Sequence, residues 1–484
     1  MKKLAIKGAS VLALAGFLSK ILAALYRFPY QNLVGDQGFY AFQQVYPFYA
    51  IITTLSLIAL PNFLSSLIHS ANHPKEETHQ FFQLSLILSV LSFVVLTLLS
   101  QPISKLMGQE KLAGPFVMAI LPLLLVPFLS LYRGRAQAKQ DMVTTAVSQV
   151  IEQSVRVVLI ICAALMFTRS STNVYAISFL AMLGSFIGGL VALVYLMLSS
   201  PFKFQGLFTN LTALQPKRKI IQKFGLSSLV FTFFMIYMLI LQMIDVFFVK
   251  NALMHLPQVK TSNQAEILKG IYDRGQPFLQ LGLVFTTSIL TDSLPKLTRD
   301  KQISKKIWDN VTYLAIALTV GLVILLPEMN DVLFKSHAHV LSLQIFVCQI
   351  PIISMIQLYH HDLFLVGKNK MSGLILLSGL VLKLVSVYPL TVLYGLNGSA
   401  LSSLISLLLV LIFYSLYSRK LPRQLFNFQF WFAILMMGAV VMLGNHTLTI
   451  SERWLALFKL TILSGLGAAT FFKVFNVNPK DFLN

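Results

Sequence analysis

The stretch MVTTAVSQVIEQSVRVV (142–158) sets Glu152 and Arg156 four positions apart, then runs on into LIICAALMF (159–167). At helical spacing, Thr145, Ser148, Gln149, Glu152, Gln153 and Arg156 fall on one stripe. Val147, Val150, Ile151, Val155 and Val158 cover the rest of that helix. An acid and a base four residues apart can pair directly, which would make them a post inside the bundle. The same stripe beside a water-filled cavity would present both to a solute, and the spacing allows either.

Other charges break apolar segments in the same way. Lys20 and Arg27 share a face with Ala13, Gly16 and Ala23. Small residues allow close approach while the cations need an anion; packing for Lys20 and headgroup contact for Arg27 are the simpler roles. Asp245 closes LILQMIDVFFVK, with Gln242 on its face, and Arg274 opens RGQPFLQLGLVF. Lys383 stands in GLVLKLVSVYPL, a span with no acidic residue. Arg133 and Arg135 end their helix, where headgroup contact is the simplest role. Five candidate cations against two carboxylates make a site that attracts anions, and the forked donors of arginine match phosphate. A lone charge at mid-bilayer costs roughly 3 kcal/mol on insertion scales, so each asks for a reason.

The elements that hold these residues follow from composition. Of 484 residues, 56% are hydrophobic and only 11% charged, with mean hydropathy +0.75. Water-facing domains carry about a quarter charged residues, so this chain is an all-α polytopic membrane protein. Apolar runs of bilayer length recur, among them 81–100, 224–244 and 401–418; by the length criterion there are about 14. The basic start MKKLAIKGASVLALAG resembles a cleavable signal. Lys20, Arg27 and the following spans make it instead an uncleaved first helix.

The net charge is +21. With the N-terminus cytoplasmic, even-numbered connections and both termini hold about 24 Lys and Arg and odd-numbered ones about 9, the positive-inside asymmetry. Clusters at 215–223 and 295–306 suit anionic headgroups, and nucleic acid is not expected. Cys162 and Cys348 lie in apolar spans, so neither a disulfide nor a metal site is expected. No nucleotide, phosphate-loop or zinc motif is present. No cofactor is expected, with membrane potential or a cation as the available energy sources.

Leu131-Tyr132 through Arg156 and Leu358-Tyr359 through Lys383 share one spacing. In each, a helix ends, a short basic connection follows, and the next helix carries a cation. Parallel six-helix repeats place a substrate site between two lobes. The expected organisation is 1–200 for the first lobe, 201–420 for the second, and two extra helices in 421–484.

SKILAALYRFPYQNLVGDQGFYAFQQVYPFYAIITTLSLIALP (19–61) and RGRAQAKQDMVTTAVSQVIEQSVRV (133–157) carry a resemblance. So do RGQPFLQLGLVFTTSILTDSLPKL (274–297) and LKLVSVYPLTVLYGLNGSALSSL (382–404). Together they resemble the polysaccharide branch of the multidrug/oligosaccharidyl-lipid/polysaccharide exporter superfamily, near stage V sporulation protein B and Gram-positive lipid II flippases. The resemblance implies two six-helix lobes around a cavity. It also implies alternating-access carriage of an undecaprenyl-pyrophosphate-linked saccharide (lipid II, a teichoic acid unit or a capsule repeat) to the outer leaflet. By position, the first-helix cavity arginine falls on Arg27, with Lys20 as a second cation; the fifth-helix pair falls on Glu152 and Arg156. The segment YHHDLFLVGKNK (359–370) departs from relatives, which tend to show a Gln-Gly pair there, and 60–70 lacks charges often found in them. Expected partners are that lipid, membrane lipids and envelope-synthesis proteins, in a bacterial plasma membrane with both termini cytoplasmic. A cation-coupled exporter of the same fold would rely on Glu152 and Asp245. A membrane enzyme would need an outer cluster from residues such as His255, Asp273 and Arg274, and a purely structural subunit would tolerate loss of the charges.

Overall fold

The computed structural model describes residues 16–19, 21–70, 73–169, 173–200, 215–300, 303–419, 427–448, 450 and 452–477. All regular structure among them is helical. By packing, the chain forms two compact units, Met1–Gly270 and Ile271–Asn484.

In the first unit, α1 (Arg27–Thr54) passes through a five-residue π-helical turn, Leu55–Ala59, into α2 (Leu60–Ser70). Then come α3 (Pro74–Leu98), α4 (Ser100–Leu106), α5 (Ala113–Ile120) and α6 (Val126–Ala138). These are followed by α7 (Met142–Arg169), α8 (Val174–Ser199) and α9 (Gln215–Leu253). Helix α9 packs on α1 and α3, so packing groups it with the first unit. A shorter helix, α10 (Ser262–Asp273), leads out of this unit. The second unit holds α11 (Gly275–Asp300), α12 (Lys305–Phe334), α13 (Val340–Val347) and α14 (Gln349–Leu365). It ends with α15 (Asn369–Ser418), α16 (Phe428–Thr447) and α17 (Arg453–Phe475).

Among the described residues, eleven helical stretches are long and apolar enough to cross a membrane. Two are double. A straight helix of 50 residues, the length of α15, would run about 75 Å, over twice a bilayer core. Gly395 breaks it at φ 58°, a conformation glycine adopts without a Cβ penalty. The hydrogen bonds Ser372–Tyr414, Lys383–Ser402 and Thr391–Ser399 nest around that break, so the two halves are an antiparallel hairpin. Gly35, at φ 70°, divides the 55-residue stretch Gly16–Ser70 in the same manner. With α11, 26 residues long and less apolar, the crossings number fourteen. The all-α polytopic expectation holds.

The repeat reaches the element boundaries. Helix starts at 113 and 340, ends at 138 and 365, and starts at 142 and 369 differ each time by 227. The segment 359–365, taken from the sequence as part of a connection, is instead the last turns of α14. There the apolar residues Leu363, Phe364 and Leu365 extend the helical pattern past the histidines.

The final pair, α16 and α17, packs together and against α12. Tyr313 of α12 meets Phe430 at 4.5 Å and Phe475 at 4.9 Å between ring centres. Lys459 pairs with Glu328 at 2.9 Å.

Candidate functional site

Close helix approach builds the site. In lipid, helices associate through packing of small residues, with little hydrophobic drive. On α8, Gly184 and Gly188 form that surface. A Cβ on Gly188 would stand 2.6 Å from the Glu152 carbonyl oxygen, and one on Gly184 would stand 2.8 Å from Leu159 Cβ. Helix α7 therefore lies flush against α8. Its stripe of Thr145, Ser148, Glu152, Gln153 and Arg156 is buried inside the unit, with Gln149 half-buried at its edge. From Ser148 to Arg156 the stripe covers about 12 Å along the axis.

Two arginines meet at the upper part of this stripe. Arg156 donates from Nη1 to Gln153 Oε1 and from Nη2 to the Tyr26 hydroxyl, each at 3.1 Å. Its guanidinium lies 4.4 Å from the Tyr49 ring centre, 5.4 Å from Tyr26 and 5.5 Å from Tyr46. Arg27 also sits over Tyr46, at 4.5 Å, with Tyr26 at 5.9 Å. The aromatic rings hold the two cations near each other by cation–π attraction, worth about 2 kcal/mol when desolvated. Both side chains are 1% exposed or less. No carboxylate lies within salt-bridge reach of Arg156 among the described residues, and its Nε has no acceptor there.

The direct Glu152–Arg156 pair that the spacing allows is not formed. Glu152 turns the other way, to Arg133, at 2.7 Å. Arg133 also donates from Nε to Ser148 Oγ at 3.1 Å and from Nη1 to the Ser56 carbonyl at 3.4 Å. Ser56 belongs to the π-helical turn, a local widening whose altered bonding pattern leaves carbonyls free for a side chain. One buried arginine thus ties α6, α7 and the α1–α2 junction. Headgroup contact for Arg133 is corrected with it: the side chain is fully buried, because Glu152 supplies the charge that the interior requires. The cluster contains three arginines and one glutamate.

The remaining candidates stand elsewhere. Asp245 is buried in α9. Arg274, also buried, donates to Asn330 Oδ1 at 3.4 Å and lies 5.3 Å from the Phe334 ring centre. Lys383 donates to Ser402 Oγ at 2.8 Å and Ser403 Oγ at 2.6 Å, within its own hairpin. Lys20 falls outside the described residues. The site gathered by the structure is therefore Arg27, Arg133, Glu152 and Arg156 with Tyr26, Tyr46 and Tyr49. The tyrosines carried a signal in the sequence, since YRFPY and VYPFY put them beside Arg27 and on one face of the next helix.

A second cluster, at the end of the first unit where α10 lies, centres on Glu266. This carboxylate accepts from the Tyr175 hydroxyl at 2.6 Å, Gln109 Nε2 at 2.7 Å, Gln37 Nε2 at 2.9 Å and Ser262 Oγ at 3.0 Å. Lys250 donates to Ser262 Oγ and to the Gly108 carbonyl. Burial favours the neutral acid, but the four donors outweigh it and hold Glu266 below the usual carboxylate range. A folded value below the unfolded one stabilises the ionised contact above about pH 4.5, and the contribution is lost as pH falls through the folded value. Hydrogen exchange over 262–273, corrected for intrinsic rates, is expected to be protected from pH 7 to 5 and to accelerate below about pH 4. Glu266→Gln should be poorly protected already at pH 7.

Residues 5–299 match the family described as polysaccharide biosynthesis protein. The chain belongs to that family. Within the family's matched segment lie Arg27, Arg133, Glu152, Arg156 and all three tyrosines. The uncharacterized membrane protein YabM of Bacillus subtilis is 31% identical over 483 residues, covering 96% of this chain and 88% of the relative. The lipid II flippase MurJ of the same organism is 29% identical over 208 residues, 39% of this chain and 38% of that one. A solved structure titled lipid II flippase MurJ, inward closed conformation, shares the fold at TM-score 0.72 and 13% identity, covering 98% of this chain and 99% of its own.

Proposed function

We propose that the protein is a flippase that moves an undecaprenyl-pyrophosphate-linked saccharide from the inner to the outer leaflet by alternating access. The observation that carries this reading is the pair Arg27 and Arg156, held on shared tyrosines while the nearby carboxylate is engaged by Arg133. A pyrophosphate matches that pair in charge and in donor geometry. The relative titled lipid II flippase MurJ adds to the reading. The termini are cytoplasmic, by the distribution of Lys and Arg. An inside-negative potential favours outward movement of the anion, about 2.3 kcal/mol per charge per 100 mV.

A cation-coupled exporter would rely on Glu152 and Asp245, and Arg133 already occupies Glu152. The test is thermal unfolding of the full chain in nanodiscs. Undecaprenyl pyrophosphate at about a hundred times its Kd should stabilise by about 2.7 kcal/mol, whereas undecaprenol should not. Equal effects of the two lipids would remove the anion site from the account.

A further inference from the structure

The offset of 227 that relates the two repeats carries Arg156 onto Lys383 and Arg133 onto His360. In the first unit that position holds a permanent cation tied to a carboxylate. In the second it holds an imidazole, 1% exposed. His360 Nδ1 lies 2.7 Å from Ser372 Oγ, which lies 2.7 Å from the Tyr414 hydroxyl. The Tyr414 hydroxyl is in turn 3.3 Å from the Ser372 carbonyl oxygen.

This chain accommodates either protonation state. With Nδ1 unprotonated, the serine hydroxyl donates to it and the tyrosine hydroxyl donates to Ser372 Oγ. With Nδ1 protonated, the imidazolium donates to Ser372 Oγ, the serine donates to the tyrosine oxygen, and the tyrosine proton turns to the Ser372 carbonyl. Each hydroxyl rotates, so the groups on the Nδ1 side stay paired in either arrangement. Histidine is the side chain whose ordinary titration falls between pH 5 and 8, and ionisable groups at membrane depth commonly serve proton relays.

Among the described residues, the titratable and charged groups around His360 come from three elements; α11 also packs on α14. Tyr359, His361 and Asp362 share its helix, with the His361 ring centre 5.7 Å away. The α15 hairpin brings Tyr414, together with Lys368 at its cap and Lys370 in its first turn. The start of α12 brings Lys305, Lys306 and Asp309 beside Trp308, whose ring meets Tyr359 at 4.7 Å.

We propose that His360 is a proton-binding site of the transport cycle, taking one proton at Nδ1 from the water on its side of the membrane. The proton leaves to water when the cycle returns this end of the second unit to its buried arrangement. Burying a charge costs free energy, so protonation favours the arrangement that opens this end, and the proton acts as a ligand that shifts the population. The role in transport rests on the flippase reading; proton binding itself does not.

The test uses the full chain in nanodiscs without substrate. Trp431→Phe and Trp454→Phe leave Trp308 as the reporter beside the cluster, since the protein has three tryptophans. Trp308 emission should change through a single one-proton transition on the acid side of about pH 6.5. His360→Gln should abolish the change and His361→Gln should retain it. His360→Arg, which restores the permanent charge of the other repeat, should fix emission at its low-pH level. A flat response in the reporter protein, or a transition that survives His360→Gln, overturns the proposal. In proteoliposomes, flipping of a fluorescent undecaprenyl-pyrophosphate lipid should vary at least tenfold over the same range and lose that dependence in His360→Gln. Flipping that ignores pH overturns the coupling, whereas a total absence of flipping with the emission transition intact counts against the flippase reading alone.

Discussion

Arg156→Ala is expected to abolish the stabilisation conferred by undecaprenyl pyrophosphate while leaving the unliganded protein as stable as before, or more so. The two halves of that result have one cause. Arg156 is 1% exposed, carries a full charge, and meets tyrosine faces and Gln153 instead of a carboxylate. Burying a charge without a counter-ion costs several kcal/mol after relaxation, only partly offset by cation–π attraction. Removing the side chain removes that cost. It also removes the charge-assisted hydrogen bonds that a pyrophosphate would accept, each worth about 1.5–3 kcal/mol, or roughly 10- to 150-fold in affinity. Sites built for ligands sacrifice stability in this way. Arg27→Ala should weaken the lipid to a similar degree, and both effects are read as loss of the lipid-induced shift in melting temperature. A variant that melts normally and still responds fully to the lipid would place the anion elsewhere.

Glu152→Ala should do the opposite. It strands Arg133, which is fully buried and has its anion only 2.7 Å away. Breaking one partner of a buried pair costs about 3–5 kcal/mol, here measured by detergent-denaturant unfolding. The double change Arg133→Met with Glu152→Leu should recover most of the loss, because apolar groups of similar volume often replace a buried pair without penalty. The double variant should also keep its response to undecaprenyl pyrophosphate, since Arg27 and Arg156 are untouched. Recovery of folding without recovery of lipid response would make the Arg133–Glu152 pair part of the binding surface. As it stands, the pair is a post that sets the α6–α7 geometry beneath the site.

The membrane class, the helix count and the 227-residue repeat were legible in the sequence because lipid imposes long apolar periods and leaves them little ambiguity. The polar stripe on α7 was legible too. What helical spacing could not reveal was the partner of Glu152. Arg156 is its neighbour at i+4, but Arg133 approaches from α6 and competes successfully, since Ser148 and the Ser56 carbonyl of the π-helical turn complete its hydrogen bonds. A π turn has no strong signature in AIITTLSLIA. Glu266 was missed for a related reason. Gln37, Gln109 and Tyr175 are remote in sequence, and only the fold brings three donors onto one carboxylate. The α10 helix that carries it is only 12 residues long, too short to stand out as a span.

If a lipid-linked pyrophosphate is carried outward by the Arg27–Arg156 pair, losing that pair has a direct consequence in cells. The most direct measurement depletes the protein in a host that lacks any redundant flippase and quantifies undecaprenyl-pyrophosphate intermediates on the cytoplasmic leaflet. One such intermediate should accumulate and should clear on re-expression of the wild type and of the Arg133→Met/Glu152→Leu variant. It should not clear with Arg156→Ala. Clearance by Arg156→Ala as fast as by the wild type, or no accumulation of any such lipid, would contradict the account.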